Sequence, residues 1–444
     1  MLIRNFSERT FGMIERAKYL DKLIRKKENG LVKVITGVRR CGKSYLLFEL
    51  YHSYLNSVGI DDEHIIELAF DLDANSTYRD PFELGKYIRS KIVDKKKMYY
   101  VFLDEIQMVE EAVNPDAHSV EIKIGFVDVV LGLMKIKNVD LYITGSNSKM
   151  LSTDILTQFR GRGDEIRVNP LSFAEFCSAY KGDKHDAWKD YYTYGGMPLI
   201  LRQTTHADKS NYLRTLIQKI YLDDILARNK INSERSVLED LLNIIASSVG
   251  SLTSPSNLSK TFLSVKNKKI SEETIAKYLD FFVDAFIVYK ARRYDVKGRK
   301  YIGAPLKYYF SDIGLRNVWL NFRQTEETHI MENIIYNELL VRGFDVDVGI
   351  VEYNYRGEDG KSKRKQLEVD FVVNQADRRY YIQSALYVGT TEKRLQETNS
   401  LNRIDDSFKK IVVVKDDIIP WHDEKGVLYV GIEQFLLDES AMEL

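Results

Sequence analysis

Short apolar runs that do not alternate with polar residues, each cut off by a turn signal, dominate the first third of the chain. Val32 to Gly37 is rich in β-branched residues and ends in glycine, which predicts a buried parallel strand. Tyr99-Tyr100-Val101-Phe102-Leu103 predicts a second strand, ending in Asp104-Glu105, and Val139 to Gly145 a third, running into Ser146-Asn147. After the first strand the spacing becomes helical, with Leu46, Leu47, Leu50 and Leu55 in a helix over 44–57. A further strand, Glu165 to Val168, follows a helical segment and the arginines Arg160 and Arg162.

From Glu234 the pattern changes to helices over about 234–249, 255–264 and 272–286. Ser254-Pro255 supplies an N-cap with proline in the first turn, and Ser271 precedes Glu272 and Glu273 at the positive end of the next helix. FIVYKARRYD and KYIGAPLKYYFSD then flank VKGRK, which predicts a hairpin with a basic tip. Further on, residues 329–344 form an amphipathic helix carrying Glu332. Two strands complete the pattern, Gln366 to Val373 and Tyr380 to Val388.

At 444 residues the chain is too long for one ordinary core, so several domains are expected. With 44% hydrophobic and 29% charged residues it reads as soluble and globular, and no run approaches the roughly 20 apolar residues that cross a bilayer. The first thirty residues are charged throughout, without the apolar region of a signal peptide, so a cytoplasmic protein with no membrane association is expected. Two cysteines, Cys41 and Cys177, imply no disulfide framework. Basic and acidic residues balance at 65 each, so any nucleic-acid role must rest on a local patch. Seven prolines and no low-complexity tract leave short, ordered joints between domains.

The turn after the first strand, Gly37-Val38-Arg39-Arg40-Cys41-Gly42-Lys43-Ser44, matches G-x-x-x-x-G-K-[ST]. Such a loop turns backbone N–H groups inward around phosphates; Lys43 adds a point charge and the Ser44 hydroxyl can ligate Mg²⁺. A helix N-terminus aimed at the anion adds its dipole. Asp104 at the end of the second strand can hold the Mg²⁺ shell, and Glu105 can polarise an attacking water. Asn147 can hydrogen-bond water or the γ-phosphate. Arg162, or Arg160, is either a finger offered to a neighbouring subunit's ATP or a surface arginine in a loop.

Taken in order, GVRRCGKS, VFLDEIQ, LYITGSNS, FRGRGDEI, PLSFAEF and YGGMP resemble the AAA-like P-loop ATPases of bacteria and archaea that carry a C-terminal domain of unknown function. The resemblance implies an α/β chain: a parallel-sheet P-loop ATPase domain over 1–180, a helical lid or connector over 181–233, a winged-helix-like module over 234–322, and a PD-(D/E)xK nuclease-like α/β domain over 323–444. It also implies Mg²⁺-dependent ATP hydrolysis, with ATP and Mg²⁺ as cofactors and a homo-oligomer possible. No second sensor arginine is identifiable. The partner expected of the remaining domains is a protein or nucleic acid of unspecified identity.

Two features speak against nucleic-acid chemistry in the second half. The third helix of the winged-helix-like module carries Glu272, Glu273, Asp280 and Asp284 against Lys277, which would repel phosphate. Lys290, Arg292, Arg293, Lys297, Arg299 and Lys300 of the hairpin could touch phosphates or serve as a solvated edge. In the nuclease-like domain Glu332 and Asp370 are present, but the Glu-x-Lys positions are held by Gln383 and Ala385, which share one strand face. Glutamine is a weaker Mg²⁺ ligand than carboxylate and alanine offers nothing, although Glu368 lies on the face of Asp370. An inactive nuclease-like domain is expected, with an ATP-regulated nuclease or a DNA-binding regulatory ATPase as alternatives.

Overall fold

The computed structural model describes residues 14–113, 123–145, 159, 161–229, 231, 235–323, 326–356 and 361–444. The chain divides into two compact units, Met13–Pro170 with Asp284–Phe286, and Leu171–Val283 with Ile287–Leu444. Among the described residues no helix is long and apolar enough to cross a membrane.

The first unit is built on strands β1 (Val32–Thr36), β2 (Ile65–Ala69), β3 (Tyr99–Asp104), β6 (Val139–Thr144) and β7 (Gly163–Arg167), with β4 (Ala112–Val113) and β5 (Lys123–Ile124) forming a separate short ribbon. The main sheet is parallel in the order β2-β3-β6-β1-β7, so β1 is enclosed between β6 and β7. A parallel strand covered on both faces reads as a continuous apolar run, and all five residues of β1 are buried. Val32 and Val34 pack with Leu84, Ile88, Val130 and Leu133 from the helices Pro81–Lys91 and Phe126–Leu133. On the aromatic face, helix residues Phe48 and Tyr51 meet Phe102 and Tyr142.

One residue of β1 breaks the apolar reading. Lys33 is fully buried, and its ammonium is paired with the buried carboxylate of Asp140 on β6. Asp140 also accepts from the Tyr142 hydroxyl at 2.7 Å and the Glu28 N–H at 2.9 Å, and Tyr142 shares a 2.6 Å hydrogen bond with Tyr51. Burial lowers the pKa of Lys33, and the Asp140 carboxylate opposes that shift. The network satisfies charges whose isolated burial would cost several kcal/mol or more.

The second unit begins with helices. Ser172 and Glu175 form a reciprocal capping box at the start of Phe173–Ala179, which explains the PLSFAEF motif. Lys184–Tyr194 and His206–Thr215 follow, then Arg235–Ser247, Pro255–Lys266 and Glu272–Asp284. An eight-stranded sheet comes next: β8 (Val288–Asp295), β9 (Lys300–Phe310), β10 (Asp345–Arg356), β11 (Ser362–Gln375), β12 (Arg378–Ala385), β13 (Lys409–Val414), β14 (Trp421–His422) and β15 (Leu428–Gly431), ordered β14-β15-β13-β12-β11-β10-β8-β9. The basic hairpin β8–β9 is therefore part of this sheet, because β8 pairs in parallel with β10 at Arg293 and Val348.

The YGGMP motif has a steric reason. The buried Asp312 carboxylate accepts the Gly196 N–H at 2.6 Å and caps the helix Ile313–Trp319 through the Leu315 N–H at 3.1 Å. A Cβ on Gly195 would lie 2.2 Å from Asp312 Oδ1, one on Gly196 2.2 Å from the Leu171 carbonyl, and one on Gly314 1.9 Å from the Tyr194 carbonyl. Gly195 thus makes room for the carboxylate, while Gly196 and Gly314 let backbone segments touch. Burial pushes the Asp312 carboxyl up to about 6, against the pull of the N–H groups of Gly196, Leu315 and Gly314. Gly314→Ala is expected to cost at least about 2 kcal/mol, because the obstacle is backbone and cannot rotate away. Urea unfolding of the full chain checks this; a wild-type midpoint would remove the steric account.

Candidate functional site

The geometry of the phosphate-loop candidate starts from the end of β1. Gly37 has φ +138°, and a Cβ there would sit 2.1 Å from the carbonyl oxygen of Val168, just past β7. Arg40 at φ 65° and Gly42 at φ 102° turn the chain back into a helix that runs from Lys43. Val38 and Cys41 are buried, and the Cys41 thiol is 3.2 Å from the same Val168 carbonyl. Arg39 is half-buried and Arg40 exposed.

Lys43 is buried, and its ammonium donates to the carbonyls of Gly37 and Val38 at 3.0 and 3.1 Å. The Ser44 hydroxyl donates to Asp104 Oδ2 at 2.7 Å, and the Thr144 hydroxyl donates to Asp104 Oδ1. Residues from β3, β6 and the loop after β1 meet here because all three strands are parallel and end at one edge of the sheet. Burial pushes the Asp104 carboxyl up; the hydroxyls of Thr144 and Ser44 pull it down, and the neighbouring Glu105 charge adds to the rise. Glu105 takes a left-handed backbone, φ 56°, uncommon for a residue with a side chain, and is hydrogen-bonded by the Gln107 side-chain amide.

Other expected residues lie elsewhere. Arg162 is exposed, and its carbonyl accepts the N–H of Val32, at the N-terminal end of β1. That end is roughly 16 Å from the loop, at about 3.3 Å per residue along the strand. Asn147 and Arg160 lie outside the described residues. Two residues at the site were given no role by the sequence: Thr144, inside the LYITGSNS motif, and Arg16, outside every motif. Arg16 is buried with φ 48°, donates to the Cys41 carbonyl at 3.2 Å and the Asn169 carbonyl at 2.6 Å, and covers the Tyr19 ring at 4.6 Å. It ties the loop to the segment after β7. No spacing in the sequence announces it, since its partners are backbone carbonyls.

In the second unit Glu332 and Asp370 are both buried, and Glu368 accompanies them. Gln383 lies across from Asp370, next to the Phe371–Ile382 pair of the β11–β12 register, and Ala385 is packed into the apolar core. A lysine does reach these carboxylates, but from β9: Lys307 Nζ is 2.8 Å from Glu332 Oε1 and 2.7 Å from Glu368 Oε1. Burial would lower its pKa; the charges of Glu332, Asp370 and Glu368 outweigh that and hold it well above the ordinary lysine value.

Residues 29–177 match the family model of an AAA domain, and residues 185–326 that of a domain of unknown function (DUF8612). An uncharacterized protein of Haemophilus influenzae is 34% identical over 407 residues, covering 90% of this chain and 93% of that protein. The chain belongs to the AAA-like P-loop ATPases that carry a further domain of unknown function. This AAA-like ATPase is also similar to an uncharacterized protein of Methanocaldococcus jannaschii, 28% identical over 433 residues, 92% of this chain and 85% of that one. Among solved structures, the Walker-type ATPase of Pyrococcus abyssi aligns with TM-score 0.48 and 17% identity, over 69% of this chain and 96% of that one.

For this ATPase, Arg16→Ala is expected to weaken ATP affinity about tenfold, since the one hydrogen bond that reaches the loop, to the Cys41 carbonyl, comes from a charged donor and is worth about 1.5 kcal/mol at the low end. Arg16→Lys should recover little, because one ammonium replaces a planar fork serving two carbonyls. Titration with a fluorescent ATP analogue decides it; unchanged affinity in Arg16→Ala would separate Arg16 from the loop's function.

Proposed function

We propose that the protein is a Mg²⁺-dependent ATP hydrolase whose ATP cycle governs a partner bound by its second half. The observation that carries this reading is the 2.7 Å contact of Ser44 with Asp104 beside the buried Lys43 ammonium. A hydroxyl and a carboxylate are hard oxygen donors of the kind that suit Mg²⁺. When bound with ATP, Mg²⁺ would neutralise phosphate charge, with Ser44 and Asp104 holding its shell. Backbone N–H groups of Gly37 to Ser44 cradle the phosphates, and Lys43 exchanges its two carbonyl partners for phosphate oxygens. Glu105 orients and deprotonates the attacking water, Asn147 holds the water or the γ-phosphate, and Arg162 reaches a neighbour's ATP.

An arginine about 16 Å from its own loop suits a role between subunits better than one within a subunit. The second half is read as a helical connector, a winged-helix-like module and a nuclease-like domain without cleavage activity, used for docking a protein or nucleic acid. Support for the inactive domain comes from Gln383 and Ala385, where the chemistry asks for a carboxylate and a lysine.

Lys43→Ala is expected to abolish measurable ATP binding, while Glu105→Gln keeps binding and loses at least about a hundredfold in turnover. Equilibrium binding and steady-state phosphate release on both variants test the assignment; near-wild-type turnover in either defeats it. If hydrolysis is completed between subunits, specific activity should rise with protein concentration and Arg162→Ala should lower turnover with little effect on ATP affinity. Concentration-independent activity from a strict monomer would remove the finger. Purified protein with Mg²⁺ or Mn²⁺ and ATP should cut neither DNA nor RNA, and cleavage lost in Asp370→Ala would overturn the inactive reading.

A further inference from the structure

A nuclease-like arrangement of Glu332, Glu368 and Asp370 implies a divalent cation, and the residues here do not fit one. The position equidistant from Glu332 and Glu368 is filled by Lys307 Nζ, 2.8 Å from one carboxylate and 2.7 Å from the other. Glu332 Oε1 has a second donor, the Tyr309 hydroxyl at 2.6 Å. The other side of the Glu332 carboxyl is closed by backbone, since a Cβ on Gly250 would lie 3.2 Å from all three of its atoms. Asp370 Oδ2 accepts the Ser384 N–H at 2.8 Å. The Lys307 side chain is 4% exposed and that of Glu332 10%, and Glu368 at 35% is the member that meets solvent.

Mg²⁺ needs oxygen ligands at about 2.0–2.1 Å in near-octahedral geometry and keeps several waters. Nothing of that size can share Glu332 and Glu368 with an ammonium already hydrogen-bonded to both, and two cations against the same oxygens repel each other. Among the described residues, no group of three His, Cys, Asp or Glu side chains is arranged to hold a metal ion. The lysine that this chemistry would use beside a metal, two residues after a strand carboxylate, is absent at Ala385; the lysine that is present comes from another strand and sits between the carboxylates.

We propose that the Lys307 ammonium is a built-in replacement for the divalent cation, so that Glu332, Glu368 and Asp370 form a closed ion cluster that binds no metal while Lys307 is in place. The cluster then fastens β9, β11 and the helix Glu327–Val341 to one another and carries no metal-dependent chemistry. This stands on the geometry of the cluster alone and is independent of the ATPase reading.

The test titrates the nucleotide-free full-length protein with Mn²⁺ alone and measures free Mn²⁺ by electron paramagnetic resonance. Wild type and Glu368→Gln should bind Mn²⁺ identically, because the cluster contributes no site. Lys307→Ala should gain a Mn²⁺ site that disappears again in the double variant Lys307→Ala with Glu368→Gln. A Mn²⁺ bound by wild type and lost in Glu368→Gln would overturn the proposal, as would a folded Lys307→Ala that gains no site. Should Lys307→Ala not fold, Lys307→Met, which keeps the volume of the stem, replaces it, and the comparison of wild type with Glu368→Gln needs neither. ATP binding measured on each variant reports the P-loop separately, so failure of one reading leaves the other legible.

Discussion

The geometry of the phosphate-loop candidate depends on a single close approach, that of Gly37 to the carbonyl of Val168. A side chain at residue 37 would lie 2.1 Å from that oxygen, so glycine is the residue that lets the chain leave β1 and pass against the segment after β7. The same carbonyl receives the Cys41 thiol, and Arg16 joins the Cys41 and Asn169 carbonyls. Once the loop is pinned there, Lys43 and Ser44 open the following helix, and Ser44 reaches Asp104. The pinning works because β1 and β7 are parallel neighbours, which sends both chains out at the same edge of the sheet.

Buried charge with a specific partner recurs through the molecule, each time in place of apolar packing. Lys33 and Asp140 lie inside the ATPase sheet with two tyrosine hydroxyls around them. Asp312 is satisfied by backbone N–H groups drawn from both sides of a glycine-lined contact. Lys307 sits among carboxylates from β11 and the helix Glu327–Val341. A buried ion that loses its partner costs more than the pair is worth, so each arrangement admits one packing of its neighbours and penalises slips. At Lys307 the same device leaves the ammonium between Glu332 and Glu368, in the space that another cation shared by the two carboxylates would need.

Much of the first unit was legible from sequence. A parallel strand buried on both faces must be apolar over its length, a phosphate loop needs glycines and a lysine at fixed spacing, and a carboxylate at a strand end is visible as a polar residue closing an apolar run. Those are local demands, and β1, β3, β6 and the segment Gly37 to Ser44 follow them. The basic hairpin was legible as a hairpin, but its membership of the eight-stranded sheet was not: pairing of β8 with β10 joins residues more than fifty positions apart, and no local pattern encodes it.

What the sequence determined by itself was the strand–loop–helix with the glycine and lysine spacing of a phosphate loop, the carboxylates that follow it, and the absence of a lysine two residues after Gln383, because each is a matter of residue type at short spacing. Tertiary structure alone decided that Arg16 and Thr144 join the site, that Arg162 stands at the opposite end of β1, and that Lys307 fills the space between Glu332 and Glu368. These contacts are made by side chains with backbone carbonyls or with residues on distant strands. Their partners are set by which elements pack together, and that choice is made by the burial of whole faces rather than by any short stretch of chain.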